Sequence, residues 1–148
     1  VLASQPFDVE LDAVSHVGLP LAEEIVDYAD AGNELVVATA SDGAFARVIF
    51  NPAEVIGQKL AAPAEAFGTV ASRVDGGVEL KVTATSYVRD LFCMADKIDA
   101  KASVDAGMVS LLPGESVTLR IDTGSDDDPQ SFAAANVLRS ANDLKREW

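Results

Sequence analysis

From Val78 to Ser86 the chain alternates without a break, with Val78, Leu80, Val82 and Ala84 on one side and Glu79, Lys81, Thr83 and Thr85 on the other. A period of two belongs to a strand with one face in a core and the other in water. Immediately before it, Val74-Asp75-Gly76-Gly77 follows the run Thr69 to Arg73. The two glycines supply the positive φ that a tight hairpin link demands, so two neighbouring strands are predicted to join here.

Other segments repeat the theme. Val88 to Ala95 forms a further apolar strand, and Val117, Leu119 and Ile121 alternate with Thr118, Arg120 and Asp122. Between them Pro113-Gly114 marks a turn, with Gly114 at the position of a type II turn that needs positive φ. Glu34–Ala40 and Ala44–Phe50 flank Ser41-Asp42-Gly43, a second hairpin signal, and Asn51-Pro52 stops the later strand because proline donates nothing to a ladder. Val9–Val14 is a weaker strand signal. Strands separated by turn residues at this spacing predict an all-β sandwich, with Leu80, Val82, Leu119 and Ile121 pointing inward. Leu19–Asp30 fits either a short helix or an irregular connector. From Gly124, Gly-Ser-Asp-Asp-Asp-Pro is a polar break of linker type.

Composition narrows the function classes. At 148 residues, 49% apolar and 24% charged, the chain is of globular type and long enough for a core without a metal or disulfide staple. No apolar run approaches the roughly 20 residues of a membrane span, and no basic n-region with an apolar h-region opens the sequence. It opens at Val1 without an initiator methionine, as a processed or excised piece does. A net charge of -13 repels phosphate backbones and anionic lipid, which argues against nucleic-acid and membrane partners. Cys93 is the single cysteine, excluding an intrachain disulfide framework and Cys-rich zinc sites and leaning towards a reducing, cytoplasmic setting. His16 is the single histidine, excluding most His-based metal and catalytic constellations.

No residue reads as catalytic, cofactor-binding or metal-ligating. Asp90 and Asp96 fall on one side of a strand, but six residues place them roughly 20 Å apart, beyond the reach of a glycosidase carboxylate pair. Asp126-Asp127-Asp128 lacks the central glycine and the glutamate of a calcium loop and is expected to be a solvated linker. Cys93 lies in Leu91-Phe92-Cys93-Met94, where a thiol fills core space, and His16 beside a Gly-Leu-Pro turn is expected to be exposed. Tyr87, Phe92 and Phe132 are expected to pack inside, leaving Trp148 as the aromatic free to stack on a sugar.

Residues 84 to 121 contain Arg89-Asp90-Leu91, Ala95-Asp96-Lys97 and Leu111-Leu112-Pro113-Gly114-Glu115-Ser116 in that order, and Val137-Leu138-Arg139-Ser140-Ala141-Asn142-Asp143-Leu144 follows near the end. In these two patches the chain resembles the C-terminal immunoglobulin-like domain of β-mannosidases of glycoside hydrolase family 2. It departs from that family after the strand ending at Phe50, where Asn51-Pro52-Ala53-Glu54 keeps only one acid. The resemblance implies an immunoglobulin-like antiparallel β-sandwich with little helix. It also implies partners in the same polypeptide: a catalytic barrel, which carries both catalytic glutamates, and other β-sandwich domains. A barrel needs about 250 residues, so it lies outside this chain. On this basis residues 1–30 form an N-terminal segment, either a first strand or the end of a neighbouring domain. Residues 31–124 form the sandwich, and 125–148 a linker and tail packing on it. No cofactor is implied. A carbohydrate-binding module and a protein-interaction sandwich are the alternatives.

Overall fold

A computed structural model describes residues 1–10, 16–43 and 45–144. The protein is all-β: the described residues form nine strands in three antiparallel sheets, with only two helices of one turn each. Two compact units divide the chain, Val1–Gln58 and Lys59–Trp148. The boundary falls later than the division at residue 30 drawn from the sequence. Among the described residues no helix is long and apolar enough to cross a membrane.

In the first unit, α1 (Glu23–Val26) is all that forms of the helix considered over Leu19–Asp30. Strands β1 (Val36–Ala38) and β2 (Val48–Phe50) pair antiparallel, Val36 opposite Phe50 and Ala38 opposite Val48, and β2 ends just before Asn51-Pro52. The strand signal at Val9–Val14 falls largely on residues 11–15, outside the described residues. None of this unit's described residues is buried.

The second unit holds the core. After α2 (Pro63–Ala66), β3 (Phe67–Val74) and β4 (Gly77–Ala84) form the hairpin that the glycines signal. They join β8 (Ser116–Asp122) and the short β6 (Ser103–Val104) in the order β3-β4-β8-β6. The other sheet is β7-β5-β9, from Val109–Leu111, Val88–Cys93 and Leu138–Arg139. One apolar cluster takes Val78, Leu80, Val82, Leu119 and Ile121 from the first sheet and Val88, Leu91, Leu111 and Leu138 from the second, the pattern of two sheets packed face to face. Leu80, Val82, Leu119 and Ile121 are wholly buried, as the alternation requires, and burying each side chain stabilises by about 1.5–3 kcal/mol. On the opposite face of β4, Glu79, Lys81 and Thr83 are exposed, and the Thr83 hydroxyl meets that of Ser116 across the ladder at 2.8 Å.

The structure corrects the reading of the first hairpin, because its two glycines do different work. Gly76 takes φ +73° in the two-residue link after Asp75, but Gly77 does not use positive φ. A Cβ on Gly77 would stand 2.0 Å from the Ile121 carbonyl oxygen, so Gly77 is needed for the close approach of β4 to β8. Gly114 has φ +87°, with Glu115 N–H donating to Leu112 O at 3.0 Å, which is a type II turn. The turn is docked as well as closed: Gly114 N–H donates to Ala84 O, and Ala84 N–H to Glu115 O, each at 2.8 Å.

The stretch from Gly124 to Asp128 keeps Asp126, Asp127 and Asp128 exposed, as expected, but it is tied down rather than a free linker. Arg73 donates from Nη1 to Ser125 O at 2.7 Å and from Nη2 to Asp127 O, tying the loop to β3. Asp128 caps the 3₁₀ turn Pro129–Ala133 by accepting from Gln130 N–H at 3.0 Å. That turn drives Phe132, wholly buried, into the core.

These glycines give a graded prediction. Gly114→Val, with no atom within 4 Å of the new Cβ, should lose about 1–3 kcal/mol through backbone strain alone. Gly77→Ala should cost about 3 kcal/mol or more by collision with β8. Gly68→Ala, in open space, should lie within about 0.5 kcal/mol of wild type. Urea denaturation ranks the three, and a Gly77→Ala variant as stable as Gly68→Ala would contradict the close approach.

Candidate functional site

The polar interior of the second unit centres on Asn142, which is wholly buried in the 3₁₀ turn Ala141–Leu144. Its Nδ2 donates to Ala61 O and Tyr87 O, and its Oδ1 accepts from Arg89 N–H, all at 3.0 Å. Two acceptors and one donor fix the orientation of the amide, and no carboxylate or apolar side chain satisfies all three. Three chain segments therefore meet on one side chain. Asp143 holds the turn in place: one oxygen accepts from Ser140 N–H at 2.7 Å, as in a capping box, and the other pairs with Arg139 Nε at 3.2 Å. Met94 N–H donates to Val137 O at 2.8 Å, completing the junction of β9 with the end of β5.

The outer face of β7-β5-β9 carries a mixed polar cluster. Val88 lies opposite Leu111 and Leu91 opposite Val109, so β5 has an extra residue between them and bulges. Asp90 sits in the bulge at φ +55°, and Met108, before β7, at φ +56°; these are the two described non-glycine residues in the left-handed region. With Val88 and Leu91 turned inward, the bulge sends Arg89 and Asp90 outward together. Arg89 Nε lies 3.3 Å from Asp90 Oδ2, and Asp90 N–H donates to Ser110 Oγ at 3.1 Å. Phe92, opposite Arg139, shares this outer face. It is half-buried and lies outside the core cluster, contrary to the expected interior packing. Tyr87 is also half-buried; Phe132 is interior, as expected; Trp148 lies outside the described residues.

The acidic residues do not assemble into a catalytic pair by the route considered from the sequence. Asp90 and Asp96 share no strand, because β5 ends at Cys93 and Asp96 lies in the 3₁₀ turn Ala95–Lys97. Asp99 is committed to structure: it accepts from Lys101 N–H at 3.0 Å, Thr123 Oγ1 at 2.7 Å and Gly124 N–H at 3.2 Å. The Lys101 backbone bond above all, then the Thr123 hydroxyl, hold its carboxyl below the usual range, the opposite of what a general acid needs. Cys93 is a free thiol packed against the core, with Sγ 3.8 Å from Phe132 O. Burial, helped by the negative charge of Asp96, pushes its pKa up to about 11, so it is a protonated filler at neutral pH. His16 is exposed. Among the described residues no three His, Cys, Asp or Glu side chains are grouped to hold a metal ion.

The fold and this site define a class, an all-β sandwich-like protein with a buried asparagine junction and a polar outer face. Neither protein-family models nor curated protein sequences show a match to the chain. Sequence reasoning missed Asn142 as the organising residue. Its signal was the one amide side chain in the run Val137–Leu144, where a buried polar group must be fully bonded.

Two measurements check the site. Asn142→Ala strands two carbonyls and one N–H and should destabilise by about 3–5 kcal/mol in urea denaturation. Asn136→Ala, exposed and six residues away, should change stability by less than about 0.5 kcal/mol. For Cys93, alkylation by iodoacetamide at pH 8 should run roughly a hundredfold slower in the folded protein than in urea. Since its folded pKa lies above 9.0, this thiol's favourable contribution is present below pH 9 and lost as pH rises towards about 11. Equal alkylation rates would place Cys93 outside the core.

Proposed function

We propose that the second unit is a non-catalytic accessory sandwich of a β-mannosidase, a glycoside hydrolase that removes terminal β-D-mannose residues. Its partners are a catalytic barrel and further sandwiches of the same polypeptide, outside residues 1–148. The observation that supports this reading is where the family-like segments lie. Arg89-Asp90-Leu91 and the segment 137–144 meet at Asn142, and Leu111 to Ser116 forms the docked type II turn. The resemblance thus rests on residues that hold a sandwich together, as expected of an accessory domain whose chemistry is done elsewhere. Retaining hydrolysis needs two carboxyl groups about 5 Å apart around the sugar bond, one with a raised pKa. Three carboxylates of the second unit have structural work: Asp143 caps a turn, Asp99 ties a loop, and Asp90 occupies a bulge. A cytoplasmic, reducing setting accords with the free Cys93.

A sugar-binding module is the second reading, favoured by Phe92 among Arg89, Asp90 and Arg139. It is the weaker one, because that face offers one half-buried aromatic where a sugar platform presents two or three.

The reading is tested with the purified chain and an aryl β-mannoside, alongside the coding sequence upstream of Val1. A barrel-length stretch upstream and a silent chain are expected. Turnover by the chain alone, abolished by one Asp or Glu substitution within it, overturns the proposal. Retardation of the chain in gels containing soluble mannan, lost in Phe92→Ala, would favour the binding module.

A further inference from the structure

The register of β1 and β2 places Val36, Ala38, Val48 and Phe50 on one face of a two-stranded sheet. That face is wholly apolar, yet Val48 is 56% and Phe50 57% exposed. A two-stranded sheet is marginal in water without something packed on it, and no described residue of this unit is buried. The charge of this unit is lopsided. Ten of the 24 Asp and Glu residues precede Lys59, against one of the 11 Lys and Arg residues, Arg47.

We propose that the β1-β2 face is a docking surface for a basic amphipathic helix of a partner protein, its apolar stripe on Val48 and Phe50 and its flanking Lys or Arg complementing the net negative charge of this unit. Size selects a helix. Two strands are about 10 Å across and three residues about 10 Å long, the footprint of one helix diameter. Charge selects the sign. A second copy of the same acidic unit would meet it with like charge, and nucleic acid and anionic lipid are repelled in the same way. The inference stands apart from the glycosidase reading, since it uses only residues of the first unit.

The probe is a fluorescein-labelled peptide of about 18 residues, roughly five helical turns, with leucines at helical spacing and lysines elsewhere. Anisotropy titration against the whole chain should show saturable binding that weakens with salt. Phe50→Asp and Val48→Asp should each weaken it about tenfold. Because both substitutions add negative charge, simple charge attraction predicts the reverse, and tighter or unchanged binding overturns the proposal. So does equal binding of a leucine–glutamate peptide. Val70→Asp, at an exposed apolar position of the second unit, should bind the peptide at least as well as wild type. If circular dichroism shows Phe50→Asp misfolded, Phe50→Ser carries the same test with the same expected loss. A dimer in sedimentation that Phe50→Ser converts to monomer would assign the face to a second copy and overturn the helix partner.

Discussion

One buried amide decides whether the second unit is a pair of sheets or a sheet with loose ends. Asn142 bonds Ala61 O, Tyr87 O and Arg89 N–H. These groups lie before α2, between the sheets and inside the bulged strand, so the end of the chain is fastened to segments 53 to 81 residues earlier. Without that junction the two-residue β9 would have little to hold it, since a strand so short contributes few ladder bonds. With it, Leu138 and Phe132 close the apolar cluster at the edge where β5 would otherwise face water.

The same economy governs the other polar residues near the core. Arg73 and Asp99 hold the loop after β8, Asp143 holds the last turn, and Glu115 accepts from Leu112 N–H at 2.8 Å inside the turn before β8. Each charge is spent on backbone groups that would otherwise be left unpaired. Asp99, whose carboxyl these bonds hold below the usual range, is a poor proton donor, which accords with the proposed mechanical role.

The sheet skeleton was legible because its signal is local. Alternation from Val78 and from Val117 names the inward residues, and the Asp75-Gly76 link and Pro113-Gly114 name the turns. What stayed hidden depends on distant neighbours. Gly77 resembles its neighbour in sequence, but its role comes from the Ile121 carbonyl 44 residues away. The acidic stretch after Gly124 has the composition of a linker, and the positions of Arg73 on β3 and of Asp99 turn it into a fixed loop. Phe92 sits in an apolar run, and the bulge at Asp90 fixes which residues of β5 turn outward beside it. In the first unit the strands and the Pro52 stop were readable, whereas the exposed apolar face emerges only from the register of Val36 with Phe50.

The most direct test of the Asn142 junction is native-state hydrogen exchange at the Arg89 amide, which donates to Asn142 Oδ1. If the last segment is part of one cooperative core, Arg89 N–H exchanges only on global unfolding, with the protection of the slowest amides of β4 and β8. Rapid exchange at Arg89 while the amides of Leu80 and Leu119 stay protected would show that the C-terminal segment opens independently, and would contradict it.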